Sequence, residues 1–187
     1  METKAEIIEL LNIHLVKYPS DKKSLNDFFQ FLDHNEGSEL VSRKNFAGHI
    51  TASAFIIKAN AEKLLLLKHR SLNRWLQPGG HIDSTDISLL HAALREAEEE
   101  TGIAAKNLQP VFKYPFDYDS HFIPENIKKQ ECRHYHHDVR FLFICPAEID
   151  LNISNAEATA SKWIDFHATH CPEFKKVGHR IREIMKR

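Results

Sequence analysis

The spacing of apolar residues predicts two helices at the start of the chain. Apolar side chains recur at three- and four-residue intervals in residues 3–17, and this first helix is expected to end before Pro19. A second helix is expected to begin at Ser24, with its hydroxyl as the cap and Asp27 reaching back, and to end near Gly37. The two segments together indicate a helical hairpin.

From residue 49 the apolar pattern changes to that of β-strands. The runs HITASAFIIK and KLLLLKH are short and rich in β-branched or aliphatic residues, which predicts two strands joined as a hairpin. The later pattern predicts a helix at about 86–101, an extended region near 108–118, a strand at about 133–145, a strand around SKWIDF and a final amphipathic helix at about 172–186. Helices and strands are mixed without strict alternation, which favours the α+β or α/β class.

Chain length and composition predict one globular domain with an appendage. The 187 residues are 42% hydrophobic, enough for one sizeable core and too short for two comfortable domains. The helical hairpin needs a larger body to bury its apolar stripe. We therefore expect residues 1–46 to be a helical N-terminal extension of a main domain at 47–187.

Charge and apolar content argue against several classes of partner. The formal net charge is -1, which provides no electrostatic case for binding nucleic acid or an anionic membrane surface. No apolar run approaches the roughly 18 residues of a membrane span, and the first residues do not resemble a signal peptide. The three cysteines form no Cys-x-x-Cys pair, which fits reduced thiols. These features together predict a cytoplasmic protein.

The helix at about 86–101 ends in an unfavourable arrangement of charge. Glu96, Glu99 and Glu100 share one helical face just before Gly102, while Glu98 points elsewhere. Each carboxylate near the negative C-terminal end of a helix should cost roughly 0.3–1 kcal/mol. Repulsion between like charges three or four residues apart adds about 0.2–0.5 kcal/mol per pair. Such a violation of local rules is expected where function overrides stability.

A divalent cation would offset this clustered negative charge. Three oxygen ligands on one face suit Mg²⁺ or Mn²⁺, and Arg95 lies four residues before Glu99, where it can hold that carboxylate. The segment Pro78-Gly79-Gly80 brings a loop without side chains to the start of the region, so that its backbone can approach a metal or phosphate closely. A glutamate-rich helix surface is more commonly a solvated face, and the glycine loop is the feature that favours a site.

The segment PGGHIDSTDISLLHAALREAEEETGI resembles the Nudix box, G-x5-E-x7-R-E-U-x-E-E-x-G-U, in which U is aliphatic. Asp86 stands where the first glutamate belongs, and eight residues, not seven, separate it from Arg95. In the family that first glutamate mainly braces the loop and the arginine, a role that a shorter acid with one extra residue can serve. The matching residues are Gly80, Arg95, Glu96, Ala97, Glu99, Glu100, Gly102 and Ile103.

The resemblance implies a fold and an activity for roughly residues 48–166. The fold would be a Nudix-like α/β/α sandwich with a mixed sheet, to which the N-terminal helices are an addition. The activity would be hydrolysis of a nucleoside diphosphate linked to another moiety, by attack of water on the pyrophosphate. By the same resemblance Mg²⁺ or Mn²⁺ would be bound by Glu96, Glu99, Glu100 and the Gly79 carbonyl, with Arg95 in the catalytic set.

The general base is left open by the sequence. Many family members use an acid on a loop shortly before the late tryptophan strand, and Glu157 lies six residues before Trp163. Glu99 or Glu96 could serve instead, and Glu157 could equally be an ordinary solvated loop acid.

The run ECRHYHHDVRFLF suggests a lining for a cleft. His134, His136, Asp138 and Arg140 alternate onto one strand face, where Arg140 could bind phosphate and His136 could contact a ribose. The alternatives are an exposed sheet face and a zinc site that would use His121, Cys132, His134 and His136.

Two further residues complete the predicted substrate contacts. Tyr118 lies sixteen residues beyond Gly102, a position that resembles a mark of family members that cleave dinucleoside polyphosphates, although a core role is commoner for an aromatic residue. Gly80 is expected to let the backbone approach the substrate. Together the substrate-binding set is Gly80, Tyr118, His136, Asp138 and Arg140.

The sequence therefore predicts a metal-dependent hydrolase that acts on a small nucleotide diphosphate derivative. The alternative is a Nudix-fold module that binds a nucleotide or regulates a partner without hydrolysis. The three intact glutamates speak against that alternative, because a pure sensor need not keep every metal ligand. The sequence leaves open the substrate, the number of metal ions and whether the chain forms a homodimer.

Overall fold

Four α-helices are present in the part of the chain that the computed structural model describes. The described residues are 1–59, 63–125, 127, 131–154, 158–165 and 172–186. Within these ranges no helix combines the length and the apolar character needed to cross a membrane. The helices are α1 (Lys4–Lys17), α2 (Asn26–His34), α3 (Leu89–Thr101) and α4 (Pro172–Met185).

The strands form one mixed sheet at the centre of the molecule. Its main order is β3-β2-β1-β7-β5, with β4 paired to β1, β6 to β7 and β8 to β2. The long central strands β1 and β7 run parallel to each other, and the other pairs are antiparallel. The bounds are β1 (His49–Lys58), β2 (Lys63–His69), β3 (Trp75–Leu76), β4 (Gly79–His81), β5 (Gln109–Pro110), β6 (Asp117–Ile123), β7 (His134–Cys145) and β8 (Ala158–Asp165).

Helices cover both faces of this sheet. Strand β1 is buried along almost its whole length, as expected for a central strand with a layer on each side. Ile50 and Ala52 of β1 face a core that also contains residues of α1, α2 and α3. Phe55 and Ile57 face a second core, which is completed by α4. This confirms the α/β/α sandwich with a mixed sheet.

The N-terminal helices share the core of the main domain. Leu11 of α1 and Phe28 of α2 are fully buried in the same apolar cluster as Ala93 of α3. A division at residue 46 therefore stays a prediction about the limits of the family domain, since no separate core is found for the extension among the described residues.

Helix α2 begins at Asn26, two residues later than expected. Leu25 is the residue before its first turn, and no side chain caps it. The Ser24 hydroxyl instead donates to the carbonyl of Asp21 at 3.0 Å, because a short 3₁₀ helix over Pro19–Lys22 brings that carbonyl within reach. The predicted Ser24 cap is therefore wrong.

The chain terminus caps the acidic helix. Helix α3 begins at Leu89, after Ser88 accepts a hydrogen bond from the His91 N–H at 3.1 Å. The Glu2 carboxylate accepts a second one from the Leu89 N–H at 2.9 Å. A carboxylate at a helix N-terminus stabilises it by roughly 0.3–1 kcal/mol. The extension therefore supports the helix that carries the predicted metal ligands.

A buried ion network joins the extension to the last helix. Asp21 lies 2.9 Å from the His14 ring and 3.0 Å from the Lys176 ammonium group. Arg180 of α4 contacts both Asp21 and Asp117, the first residue of β6. The two helical layers are thus linked around the β6 edge of the sheet by opposite charges.

Replacing Phe28 with alanine tests whether the extension is integral to the fold. The side chain is fully buried and stacks on the His137 ring at 4.8 Å, so we expect the free energy of unfolding to fall by about 3–5 kcal/mol. Val16→Ala in α1 is the control, because Val16 is 84% exposed and should change the value by less than about 0.5 kcal/mol. Chemical denaturation would measure both. An unchanged main transition in Phe28→Ala would contradict a shared core.

Candidate active site

The acidic face of α3 faces the sheet. Ala92 and Ala93, which lie on that face one turn before the glutamates, are fully buried. Leu90 and Leu94, on a different side of the helix, are only partly buried against the same core. Alanine side chains let a helix approach a sheet closely, so the glutamates that follow them are brought against the backbone of β4.

Two of the three glutamates lie directly against the glycines of β4. The Glu100 carboxylate is buried and accepts a hydrogen bond from the Gly79 N–H at 2.9 Å. A Cβ atom at Gly80 would lie 2.7 Å from the Glu96 carboxylate, so any other residue would displace it. The side chain of Glu99 is 59% exposed. The three carboxylates therefore extend from the interior of the molecule to its surface.

Arg95 contacts the loop, the strand and the helix at once. Its guanidinium donates to both Asp86 carboxylate oxygens, at 3.1 and 2.9 Å. It also donates to the His81 carbonyl at 2.9 Å. The guanidinium nitrogen Nη1 donates to Glu96 at 2.9 Å and to Glu99 at 3.3 Å. Because all these acceptors are anionic or carbonyl oxygens, the pKa of Arg95 is raised, with the Asp86 hydrogen bonds as the largest cause.

The side chain of Asp86, which contacts Arg95, is completely buried. It accepts the Asp83 N–H at 2.8 Å and is hydrogen-bonded to the His91 ring at 2.8 Å, besides its two bonds from Arg95. Burial alone would raise the pKa of Asp86, but the hydrogen bonds from Arg95, Asp83 and His91 outweigh it and hold the pKa below its ordinary value. Asp86 reaches Arg95 despite the extra residue between them because Asp86 lies in the loop before α3, which begins only at Leu89.

A loop after β7 covers the negative end of α3. Gly102 adopts a left-handed conformation, with φ of 71°, that ends the helix. The N–H groups of Asn152 and Ser154 donate to the carbonyls of Thr101 and Glu100, at 2.8 and 3.1 Å. These bonds satisfy helix carbonyls that would otherwise add to the negative potential at the glutamates. Glu157, the candidate base, lies outside the described residues, and its role stays a prediction.

The donor chemistry at this site fits a hard divalent cation. Glu96, Glu99 and Glu100 offer carboxylate oxygens, and the glycines of the strand let two of these carboxylates lie directly against its backbone. In the described part of the chain, two groups of three side chains have possible metal-ligand atoms within 4.8 Å of one another. Neither group includes these glutamates. Arg95 holds Glu96 and Glu99 in the present arrangement, so binding an ion would draw the carboxylates closer together.

The predicted substrate contacts on β7 are engaged within the protein. Arg140 is held by carboxylates of Asp117, Asp119 and Asp138 at 2.9–3.1 Å. Asp138 is buried and accepts hydrogen bonds from the Ser53 hydroxyl at 2.7 Å. Binding of a phosphate by Arg140 would therefore compete with three carboxylates.

Tyr118 lies in the core, and His136 lies in a cluster of histidines. The Tyr118 ring contacts the rings of His14 and Phe28, and burial raises its pKa. This position favours a packing role over substrate contact. His136 lies instead within 4.7–5.1 Å, between ring centroids, of His49 and His81, two residues that the sequence did not single out. In the sequence, the position of each histidine on one face of a strand was the only feature that could have indicated this cluster.

Comparison with known proteins connects this geometry to a family. The NUDIX domain model matches residues 48–187. A probable DHNTP pyrophosphohydrolase from Lactococcus lactis subsp. cremoris is 29% identical over 164 residues, which cover 88% of this chain and 90% of that protein. The uncharacterized Nudix hydrolase YvcI from Bacillus subtilis is 27% identical over 128 residues, 67% of this chain and 73% of that protein.

Solved structures share the fold at low sequence identity. A C. elegans Ap4A hydrolase binary complex has a TM-score of 0.56 at 19% identity, covering 73% of this chain and 97% of that one. The E. coli dihydroneopterin triphosphate pyrophosphohydrolase has a TM-score of 0.55 at 19% identity, covering 70% and 92%. The NUDIX domain of Shewanella oneidensis NrtR, complexed with ADP ribose, has a TM-score of 0.52 at 16% identity, covering 83% and 97%.

Replacing Asp86 with asparagine tests the support of the arginine. Asparagine has nearly the same shape as aspartate but carries no charge. We therefore expect the free energy of unfolding at neutral pH to fall by about 1–3 kcal/mol. Because the folded pKa of Asp86 lies below its unfolded value, this contribution is present above about pH 4 and is lost as the pH falls through the folded pKa.

Urea denaturation of both proteins across this pH range, with a chelator present, would measure the difference. Glu98→Gln is the control on the same helix, since Glu98 is exposed and should change stability by less than about 0.5 kcal/mol. A wild-type minus Asp86→Asn difference that does not depend on pH would contradict the charged contact.

Proposed function

The chain belongs to the Nudix hydrolase family, and from this premise we propose that it is a metal-dependent pyrophosphohydrolase. Its substrate would be a nucleoside diphosphate linked to another moiety, or a closely similar diphosphate derivative. The reaction would be attack of water on a phosphorus of the pyrophosphate.

One observation carries this proposal: the carboxylates of Glu96 and Glu100 lie against the side-chain-free strand at Gly79 and Gly80. The strand can therefore approach a charged ligand closely while the helix supplies anionic oxygens beside it. Arg95 fixes this geometry, since its planar guanidinium joins Asp86 to Glu96 in one rigid set of contacts.

Mg²⁺ or Mn²⁺ bound by Glu96, Glu99 and Glu100 would neutralise the diphosphate and lower the pKa of a bound water. The Gly79 carbonyl is a further candidate ligand. The residues of the chain would then supply position and proton transfer. Arg95 would orient Glu96 and Glu99, and the N–H of Gly79 would hold the buried carboxylate of Glu100. Glu157 would accept a proton from the attacking water, with Glu99 and Glu96 as alternatives.

The substrate is proposed from the relative that spans most of the chain. Because that relative is named a probable DHNTP pyrophosphohydrolase, dihydroneopterin triphosphate is the first compound to test. Other candidates are nucleoside triphosphates, ADP-ribose, dinucleotides, nucleotide sugars and CDP-alcohols. Turnover would be measured as pyrophosphate release from the triphosphates, and from the other compounds as new phosphate monoesters that an added phosphatase converts to phosphate.

A second candidate function is nucleotide binding without hydrolysis. The NUDIX domain of NrtR, which shares the fold, was crystallised with ADP ribose. A purely binding module would bind a nucleotide and form no metal-dependent product. The three glutamates and their arginine are all present here, which favours the enzyme. The substrate screen separates the two functions, because only the enzyme forms pyrophosphate or new phosphate monoesters when Mg²⁺ or Mn²⁺ is added.

Replacing Glu100 with glutamine tests the carboxylate site. The amide oxygen can still accept from the Gly79 N–H, so the fold should be kept, while the loss of a charged ligand should lower kcat by at least about 100-fold. Glu98→Gln, at an exposed position on the same helix, should keep wild-type activity. Removal of divalent ions by a chelator should abolish turnover, and their return should restore it. Full activity in Glu100→Gln would refute the proposed site.

Replacing Glu157 with glutamine tests the general base. Loss of a base should lower kcat by about 10²–10⁴-fold and remove the decline of kcat at acid pH. Asp150→Asn is the control, because Asp150 is an exposed acid on the same segment of the chain. If kcat of Glu157→Gln still declines at acid pH, the general base would be Glu99 or Glu96 instead.

A further inference from the structure

Three histidines from three neighbouring strands converge on one sheet face. His81 lies on β4, His49 on β1 and His136 on β7. The strand register places His49 opposite His136, and Thr51 opposite His81, so the rings meet although they are distant in sequence. One ring nitrogen from each histidine lies within 4.8 Å of the other two. The structure therefore brings three imidazole ligands together beside the glycine strand.

His49 is buried, and its ring makes no well-formed hydrogen bond within the described part of the chain. Its exposure is 1%, and neither ring nitrogen meets hydrogen-bond geometry with a described residue, although contact with the Asn45 backbone acts to raise its pKa against the larger effect of burial. A buried polar group left unsatisfied destabilises the fold, and most buried polar side chains in proteins are paired. An ion bound at one ring nitrogen would satisfy the lone pair of that nitrogen and remove part of this cost. The buried, unpaired ring thus points to an occupant of the cluster.

Hydrogen bonds assign the proton on His136. The His134 Nδ1 lies 2.7 Å from the Cys132 carbonyl, which can only accept, so His134 carries its proton on Nδ1. Its Nε2 is then the acceptor in the 3.1 Å contact with the His136 Nε2, which must donate. The Nδ1 of neutral His136 therefore carries a lone pair. This chain of contacts resembles the outer partners that orient histidine ligands in metal sites.

Two rings of the cluster, those of His49 and His136, are neutral at pH 7. Burial lowers the pKa of His49 to about 4, and burial together with the neighbouring histidines lowers that of His136 to about 2. A neutral imidazole offers a lone pair without first losing a proton at pH 7.

We propose that His49, His81 and His136 bind a transition-metal ion such as Zn²⁺, at a site separate from the carboxylates of α3. Nitrogen ligands suit Zn²⁺ and related ions, whereas Mg²⁺ prefers oxygen. Three protein ligands would leave a position for water or substrate. Of the zinc ligands considered from sequence only His136 belongs to this set, because His134 is bonded to the Cys132 carbonyl.

Arg43 controls access to this site. Its guanidinium lies 2.6 Å from the Nδ1 of His81, and since arginine can only donate, that nitrogen accepts in the metal-free protein. A metal bound at either nitrogen of His81 is incompatible with this bond: at Nδ1 it takes the same lone pair, and at Nε2 it leaves the proton on Nδ1. The exposed Arg43 side chain must therefore move away when the ion binds.

Cobalt titration tests the proposal. Co²⁺ would be added to the full chain in excess Mg²⁺, which fills oxygen sites, and followed by visible absorbance. The wild type should bind one equivalent with the intense spectrum of a nitrogen-ligated ion. His49→Ala and His136→Ala should weaken binding by at least about 100-fold, and Arg43→Ala should strengthen it. His179→Ala is the control, since His179 is an exposed histidine on α4.

Three outcomes would overturn the proposal. The first is a wild type that binds no Co²⁺, and the second is unchanged binding in both His49→Ala and His136→Ala. The third is loss of the Co²⁺ spectrum in Glu100→Gln with retention in His136→Ala, which would assign the ion to the carboxylates. Circular dichroism would verify that each variant is folded, and His136→Gln would replace His136→Ala if the latter is not. The Co²⁺ spectrum does not depend on turnover, so this experiment and the substrate screen can fail independently of each other.

Discussion

The contact between Arg95 and Asp86 is the interaction on which the candidate site depends. Asp86 is completely enclosed, and both of its oxygens receive the guanidinium edge in a bidentate pair. The remaining donors of Arg95 bind the His81 carbonyl, Glu96 and Glu99. Only arginine has a rigid planar fork that can join a loop, a strand and a helix in this way. A lysine in its place would neutralise charge without fixing the geometry.

The cost of three glutamates at a helix C-terminus is offset by contacts from distant parts of the chain. Backbone N–H groups of Asn152 and Ser154 satisfy the last carbonyls of α3, and the Gly79 N–H binds Glu100. Glu2 places a favourable negative charge at the other end of the helix. The N-terminal extension therefore contributes to the site even though it supplies none of the proposed ligands.

The same region of the sheet combines two kinds of ligand chemistry. Carboxylates of α3 lie on one side of β4, against Gly80, while the ring of His81 joins an imidazole cluster with β1 and β7. The His81 carbonyl also accepts from Arg95 at 2.9 Å. A change in the position of His81 would thus be transmitted to the arginine that orients the glutamates. This connection gives a physical route by which an ion at the histidines could influence the carboxylate site.

The sequence by itself determined the principal elements and some of the local contacts. Periodicity predicted β1, β2, β7 and α3, and helical spacing placed Arg95 beside Glu99, because such patterns depend only on neighbours along the chain. Tertiary structure decided what each face meets. It buried Tyr118 beneath the N-terminal helices and brought His49 to His81. Periodicity reports which side of an element is apolar, whereas strand register and layer packing select its partners.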